Sequence, residues 1–199
     1  MARQRQRASR AERLSALALV VLALGCRSES HGSLQLVLGK SAGEKPTEIE
    51  LRTAYAEYVV LPELRHELRV TLANYETSCL DQQLPTDGQL AVVVTIATPP
   101  AQPPAAGSFD WGGHEAHGGS PERPERGYAM PLARQGAHAY EFHPGGGIEL
   151  RQVGLSEGSA ISGLLSFEFP GDGTNPAQAI KGSFAGRVCR ALPAAGERD

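Results

Sequence analysis

Hydrophobic and polar residues alternate with the two-residue period of β-strands along most of the chain after residue 32. The pattern predicts strands at 33–38, 47–60, 66–75, 137–143, 147–153, 160–169 and 178–190. The stretch 89–97 is apolar on both faces and rich in Val and Ile, which predicts a central strand. Short Gly-rich connections favour hairpins. We therefore expect an all-β fold, an antiparallel β-sandwich or jelly-roll-like barrel of about eight strands.

The alternation also assigns one face of several strands. In 47–60 it places Ile49, Leu51, Thr53 and Tyr55 together. For three other strands, the residues predicted on one face are Leu68, Val70 and Leu72; Ile161, Gly163, Leu165, Phe167 and Phe169; and Ile180, Phe184 and Val188. No segment sustains a helical period, and the alternative architecture is an α+β fold with a helix at 54–68.

One composition break interrupts the strands. Residues 98–127 are dominated by Pro and Gly without any period, which predicts a long loop of functional or flexible character. The expected organisation is a leader at 1–25, a tether at 26–32, a β-domain at 33–193 and a disordered tail at 194–199.

The first 25 residues have the pattern of a secretory signal. Residues 1–13 hold five Arg and one Glu, and residues 14–25 are apolar apart from one Ser. These twelve residues span roughly 18 Å as a helix, short of the ~30 Å hydrocarbon layer, so the pattern does not predict a membrane span. A basic tail for nucleic acid is the alternative, but it leaves the apolar run unexplained.

The end of this leader, Leu22-Ala23-Leu24-Gly25-Cys26, resembles the lipobox of bacterial lipoproteins. The resemblance implies a diacylglyceryl group on the Cys26 thiol, cleavage before Cys26 and acylation of its new amino group. The implied partner is a lipid bilayer of the cell envelope. Arg27, in place of the Asp that often retains enteric lipoproteins in the inner membrane, favours the outer membrane. The alternative is an ordinary cleaved signal that leaves Cys26 as a structural thiol.

Loss of the leader changes the charge of the chain. The whole chain has a net charge of −3; the leader carries five Arg and one Glu, so the remainder has −7. An acidic chain does not attract nucleic acid or anionic headgroups by general electrostatics. We expect no nucleic-acid partner, and an envelope protein is a possible one.

With Cys26 lipidated, Cys79 and Cys189 are left as an even pair in an oxidising compartment. This predicts a disulfide between them. Two free buried thiols are the alternative, and a two-Cys metal site lacks the usual CxxC spacing.

The C-terminal part carries a second resemblance. Gly147-Ile148-Glu149-Leu150, and the run from Gly182-Ser183-Phe184 to Cys189, resemble uncharacterised proteobacterial lipoproteins of β-sandwich type. The resemblance implies this fold and brings no activity with it.

Two motifs could carry chemistry. Gly154-Leu155-Ser156-Glu157-Gly158 matches the nucleophile pattern of α/β-hydrolases, but a strand is predicted after it where that chemistry needs a helix. His114 and His117, with Asp110 and Glu115 nearby, could bind Zn²⁺ or Cu²⁺.

We therefore predict a non-enzymatic, membrane-anchored binding or structural module without a cofactor. A metal-binding envelope protein and a Ser156 hydrolase are the alternatives.

Overall fold

The computed structural model describes residues 32–37, 47–61, 65–111, 127–141, 145–169 and 178–192. These residues contain eleven β-strands and no helix, which confirms the all-β prediction. The strands are β1 (Gly32–Val37), β2 (Thr47–Leu51), β3 (Thr53–Val60), β4 (His66–Ala73), β5 (Leu90–Thr98), β6 (Gly107–Asp110), β7 (Tyr128–Gln135), β8 (His138–Glu141), β9 (Gly146–Val153), β10 (Ala160–Phe169) and β11 (Gln178–Leu192).

The strands form one curled sheet. Its order is β6-β9-β10-β11-β3-β4-β5-β7-β8, and β1 and β2 extend it beside β11. Among the described pairs of strands, β11 and β3 run parallel and the others antiparallel. A parallel bridge between Trp111 and Ala129 brings the β6 end of the sheet to β7. The result is a nearly closed, barrel-like mixed sheet.

Strand β11 occupies the middle of this sheet. Over Gln178–Arg187 it pairs with β10 on one side. On the other side its first part, Ala179–Ser183, pairs with β1, and its last part, Arg187–Leu192, pairs with β3. One strand therefore joins the β9–β10 hairpin to the β3–β4–β5–β7 half.

The inward faces of the strands form a single apolar core, and they bear out the predicted alternation. The predicted inward positions of β4, β10 and β11 within the described side chains are all buried, namely Leu68, Val70, Leu72, Ile161, Gly163, Leu165, Phe167, Ile180, Phe184 and Val188. Strand β5 is nearly buried on both faces and lies between β4 and β7, as its composition predicted.

The prediction of a single strand at 47–60 is wrong. The chain breaks at Arg52 into β2 and β3, and this break shifts the alternation by one residue. Ile49 and Leu51 stay on the core side, whereas Ala54 and Ala56 replace Thr53 and Tyr55 there. The alternative helix at 54–68 is also wrong, because β3 and β4 occupy residues 54–60 and 66–68.

The structure corrects the first part of the prediction of a loop at 98–127. Residues 107–110 form β6, paired with β9, and Trp111 bridges to Ala129. Strand β7 was not predicted, because Pro131 interrupts its pattern. The β7–β8 pairing covers only Leu132–Gln135, so Pro131 lies beyond it.

Among the described residues, no helix is long and apolar enough to cross a membrane. Three predicted segments lie outside the described residues: the leader at 1–25, the tether from Cys26 to residue 31, and the tail at 194–199.

Candidate functional site

The outward face of β3, β4, β5 and β7 carries a groove, which we call the outer groove. Its floor is the face of the four strands, and its wall is the connection between β4 and β5, residues 74–89. It encloses about 310 Å³, at the lower end of the range of small-molecule sites. Its polar lining includes Tyr55, Glu57, Arg69, Thr71, Gln82 and Arg134.

Strand register sets the polar half of the groove. Glu57 of β3 lies directly opposite Arg69 of β4, and Tyr55 lies opposite Thr71. Residues opposite each other in an antiparallel pair have their Cβ atoms close together, so the two side chains leave the sheet next to each other. Strand pairing thus places one acid and one base side by side on an outward face.

Both charged groups are held by further partners. The Gln82 side-chain amide donates to both carboxylate oxygens of Glu57, at 3.2 Å each. Arg69 donates to Oε2 of Glu67 at 2.8 Å, and Arg65 lies 3.4 Å from the other oxygen of Glu67. The polar half is therefore an ordered set of hydrogen-bonding groups.

Two tyrosines lie between the floor and the wall. Tyr75 packs with Ala73 and Ala91, and its hydroxyl donates to the Gln83 carbonyl at 2.8 Å. Thr53 donates to the Tyr75 carbonyl at 2.8 Å. The Thr53 bond fastens the wall to the sheet, and the Tyr75–Gln83 bond joins two parts of the wall.

Burial controls the ionisation of both phenols. Burial raises the pKa of Tyr55, and the nearby Glu57 carboxylate adds to the rise, while hydrogen bonds with Thr71 and Thr77 act against it. Burial also raises the pKa of Tyr75, with a smaller contribution from Tyr55. The two hydroxyls remain protonated near neutral pH and can donate hydrogen bonds.

The other half of the groove is apolar. Val93 of β5 and Leu132 of β7 are register partners on the floor. Leu84 stands at the rim and is 68% exposed. The groove is therefore polar along β3 and β4 and mainly apolar along β5 and β7, where Arg134 of β7 adds one charged group.

The predicted cysteine pair is brought together beside this groove. Cys79 lies in the wall segment and Cys189 lies in β11, with their Cα atoms 6.2 Å apart, within the range of a disulfide. The pair joins the wall to the central strand over a sequence separation of 110 residues.

A second polar feature lies on the core side of the sheet, where β3 ends and β4 begins. The Tyr58 hydroxyl and Nδ1 of His66 are 2.6 Å apart, and the two rings stack almost in parallel. Burial lowers the pKa of His66 and raises that of Tyr58. The neutral imidazole can accept the phenol proton in this hydrogen bond.

Ser156 lies in the turn of the β9–β10 hairpin. Its carbonyl accepts from the Ser159 amide at 3.1 Å, and β10 follows the turn. The hydrolase pattern needs a strand, a sharp turn and then a helix. The hairpin therefore lacks the local geometry of a nucleophile elbow.

The predicted metal ligands His114 and His117 lie outside the described residues, so this hypothesis stays a prediction. Among the residues that the structure describes, no three His, Cys, Asp or Glu side chains group as metal ligands.

The sequence did not predict the outer groove or the Tyr58–His66 pair. The signal for the groove is the placement of Glu57 and Arg69 on facing strands, and it is readable only once the register of β3 and β4 is known.

Comparison with models of protein families found no match, and neither characterised proteins nor solved structures matched the chain.

Proposed function

We propose that this protein is a lipid-anchored lipoprotein of the cell envelope and acts as a non-enzymatic binding module. The barrel-like sheet is the scaffold and the outer groove is the binding site. The observation that carries the binding role is the groove itself, a concave surface with ordered polar groups on one side and apolar side chains on the other.

The architecture of the groove supports binding. Rigid strands hold Glu57, Arg69 and Thr71 in fixed positions, so little side-chain freedom is lost when a ligand binds. The Thr53 bond to the Tyr75 carbonyl, the Gln82 bonds to Glu57 and the Cys79–Cys189 pair hold the wall against the sheet. A preformed concave site of this kind is typical of small-molecule recognition.

The lipid anchor is supported by the apolar run at 14–25 and by Cys26 directly after it. Two or three acyl chains together give durable attachment, because each buried methylene contributes about 0.8 kcal/mol. From Cys26 to Ser33 the chain extends at most about 28 Å, so the domain would stay close to the bilayer surface.

Mass spectrometry of the full chain expressed in a bacterium tests the anchor. We expect a mature start at Cys26 carrying fatty acids, and membrane association that Cys26→Ala abolishes. An intact Met1, or a mature protein without fatty acids on Cys26, would overturn this part of the proposal.

A panel of ligands tests the binding role. It contains neutral saccharides, charged saccharides, and acidic and basic tripeptides, and binding is followed by amide chemical shifts of the full chain in detergent micelles. Thr71→Trp fills the floor of the groove, and Ser166→Trp adds the same side chain to exposed β10 as a control. Binding lost only in Thr71→Trp supports the role. If no member of the panel binds in a groove-dependent way, the proposed binding role falls.

A further inference from the structure

We infer that the ligand of the outer groove is a neutral saccharide of one or two rings. This inference rests on the proposed function, whose site it narrows to one chemical class. Three features of the groove support it: the balance of its charges, its two-sided lining and the backbone of its floor.

The charges around the groove cancel. Glu57 faces Arg69 across the β3–β4 pair, and Glu67 is bonded to both Arg69 and Arg65. Two carboxylates thus meet two guanidinium groups. A charged ligand would be attracted by one group and repelled by another of opposite sign nearby. Electrostatic attraction therefore adds little to the affinity of the groove for a charged ligand.

The same balance holds at the far end. Arg134 lines both the outer groove and the adjoining cavity, and Asp87 lines that adjoining cavity as well. With the groups bonded to the lining included, three carboxylates (Glu57, Glu67 and Asp87) meet three guanidinium groups (Arg65, Arg69 and Arg134), so no single sign of charge dominates the site as a whole.

A polyol uses such a site well. Its hydroxyls both donate and accept, so adjacent hydroxyls can donate to Glu57 and accept from Arg69. A sugar ring also has C–H faces, which match Val93 and Leu132 on the floor and Leu84 at the rim. The two halves of the groove correspond to the two kinds of surface on one ring.

The floor disfavours an extended peptide. Peptides that add to a sheet pair with the free backbone groups of an edge strand. Here β4 and β5 are interior strands, paired on both sides, so their backbone groups are already in use. The floor of the groove offers side chains alone, and the volume of about 310 Å³ suits a ligand of one or two rings.

The test compares each neutral sugar with charged versions of the same ring. The probes are glucose, glucuronic acid and glucosamine, with the corresponding neutral disaccharides and the two tripeptides. Binding to the full chain in detergent micelles is followed by the shifts of the Gln82 side-chain amide and the Thr71 backbone amide. We expect a neutral sugar to bind at least tenfold more tightly than its charged versions.

A charge variant sharpens the test. Glu57→Gln keeps the shape of the side chain but leaves the groove with one excess positive charge. We expect this variant to bind the neutral sugar at least tenfold more weakly than wild type does. The affinity for glucuronic acid should rise relative to the affinity for the neutral sugar. Glu149→Gln makes the same change at an exposed position on β9, beside Arg151, and should leave both affinities unchanged.

The outcomes separate the two levels of the proposal. Groove-dependent binding of neutral sugars, with the shift in preference in Glu57→Gln, supports the inference. Groove-dependent binding of charged sugars or tripeptides alone overturns the inference and leaves the binding role standing. Absence of any binding that Thr71→Trp abolishes overturns both.

Discussion

The Tyr58 hydroxyl lies 2.6 Å from Nδ1 of His66, and the two ring centroids are 5.9 Å apart with the planes 4° from parallel. Tyr58 and His66 come from adjacent strands, β3 and β4, and His66 is buried. The pair therefore places one titratable imidazole at the border of an otherwise apolar core, where its charge affects stability.

The first prediction concerns acid sensitivity. Burial lowers the pKa of His66 below its ordinary value of 6.5, so the unfolded chain binds this proton more readily than the folded one. Above the pKa that His66 has in the unfolded chain, the imidazole is neutral in both states and the folded state keeps its full stability. As the pH falls from about 6.5 toward the lower pKa of the folded state, the unfolded chain takes up the proton first and the folded state loses stability. We expect His66→Phe to remove this part of the pH dependence, as measured by urea unfolding between about pH 5 and pH 8.

Tyr58→Phe is the matched control for this prediction. It removes the hydrogen bond to His66 but keeps the titrating imidazole, so the slope of stability against pH should persist. Equal slopes of stability against pH for wild type and His66→Phe would show that His66 has the same pKa in the folded and unfolded states.

The contrast between β4 and β3 shows how far the sequence predicts this fold. Leu68, Val70 and Leu72 alternate without interruption, and all three face the core as predicted. In the preceding segment the break at Arg52 shifts the face of Tyr55, because the side-chain period of a strand is exactly two. Local alternation predicts a face only as long as the strand stays continuous.

The candidate site was less predictable for a related reason. Glu57 and Arg69 are 12 positions apart and become neighbours only through the register of β3 and β4. Cys79 and Cys189 were predictable as a pair, because parity and compartment constrain cysteines whatever the register. Arg69 is subject to no such constraint, since a surface Arg can stand almost anywhere.

The second prediction concerns the cysteine pair. A cross-link over 110 residues restricts the unfolded chain, and the chain-entropy model gives it up to about 4–5 kcal/mol of stability. The double variant Cys79→Ser, Cys189→Ser should lose stability of this order in urea unfolding. Reductant should lower the stability of wild type by a similar amount and leave the double variant unchanged. Insensitivity of wild type to reductant would contradict the stabilising role.

The third prediction concerns the close approach of β9 and β10. A Cβ at Gly163 would collide with the Glu149 carbonyl oxygen and lie 3.0 Å from ring carbons of Phe184. Gly163→Val should therefore cost about 3 kcal/mol in the free energy of unfolding. Ser166→Val places the same side chain at an exposed position on β10 and should change stability by less than about 0.5 kcal/mol. Equal effects of the two variants would show that β9 can move away from β10.

The fourth prediction concerns the core. Phe167 is completely buried in β10, so Phe167→Ala should leave a cavity and cost about 3–5 kcal/mol. Met130 on β7 is 40% exposed, and Met130→Ala should cost much less. Thermal and urea unfolding of both variants measure the difference, and a small loss in Phe167→Ala would mean that the barrel collapses around the vacated space.

The position of β11 has a consequence for the order in which the molecule assembles. It follows every other described strand in the chain, yet it lies between β10 and β3 in the sheet. Until residues 178–192 have been synthesised, the strand that pairs with both β10 and β3 is missing. Chains that end before residue 178 should therefore remain sensitive to proteases. A polypeptide with this topology therefore completes its sheet only after its last described strand has been made.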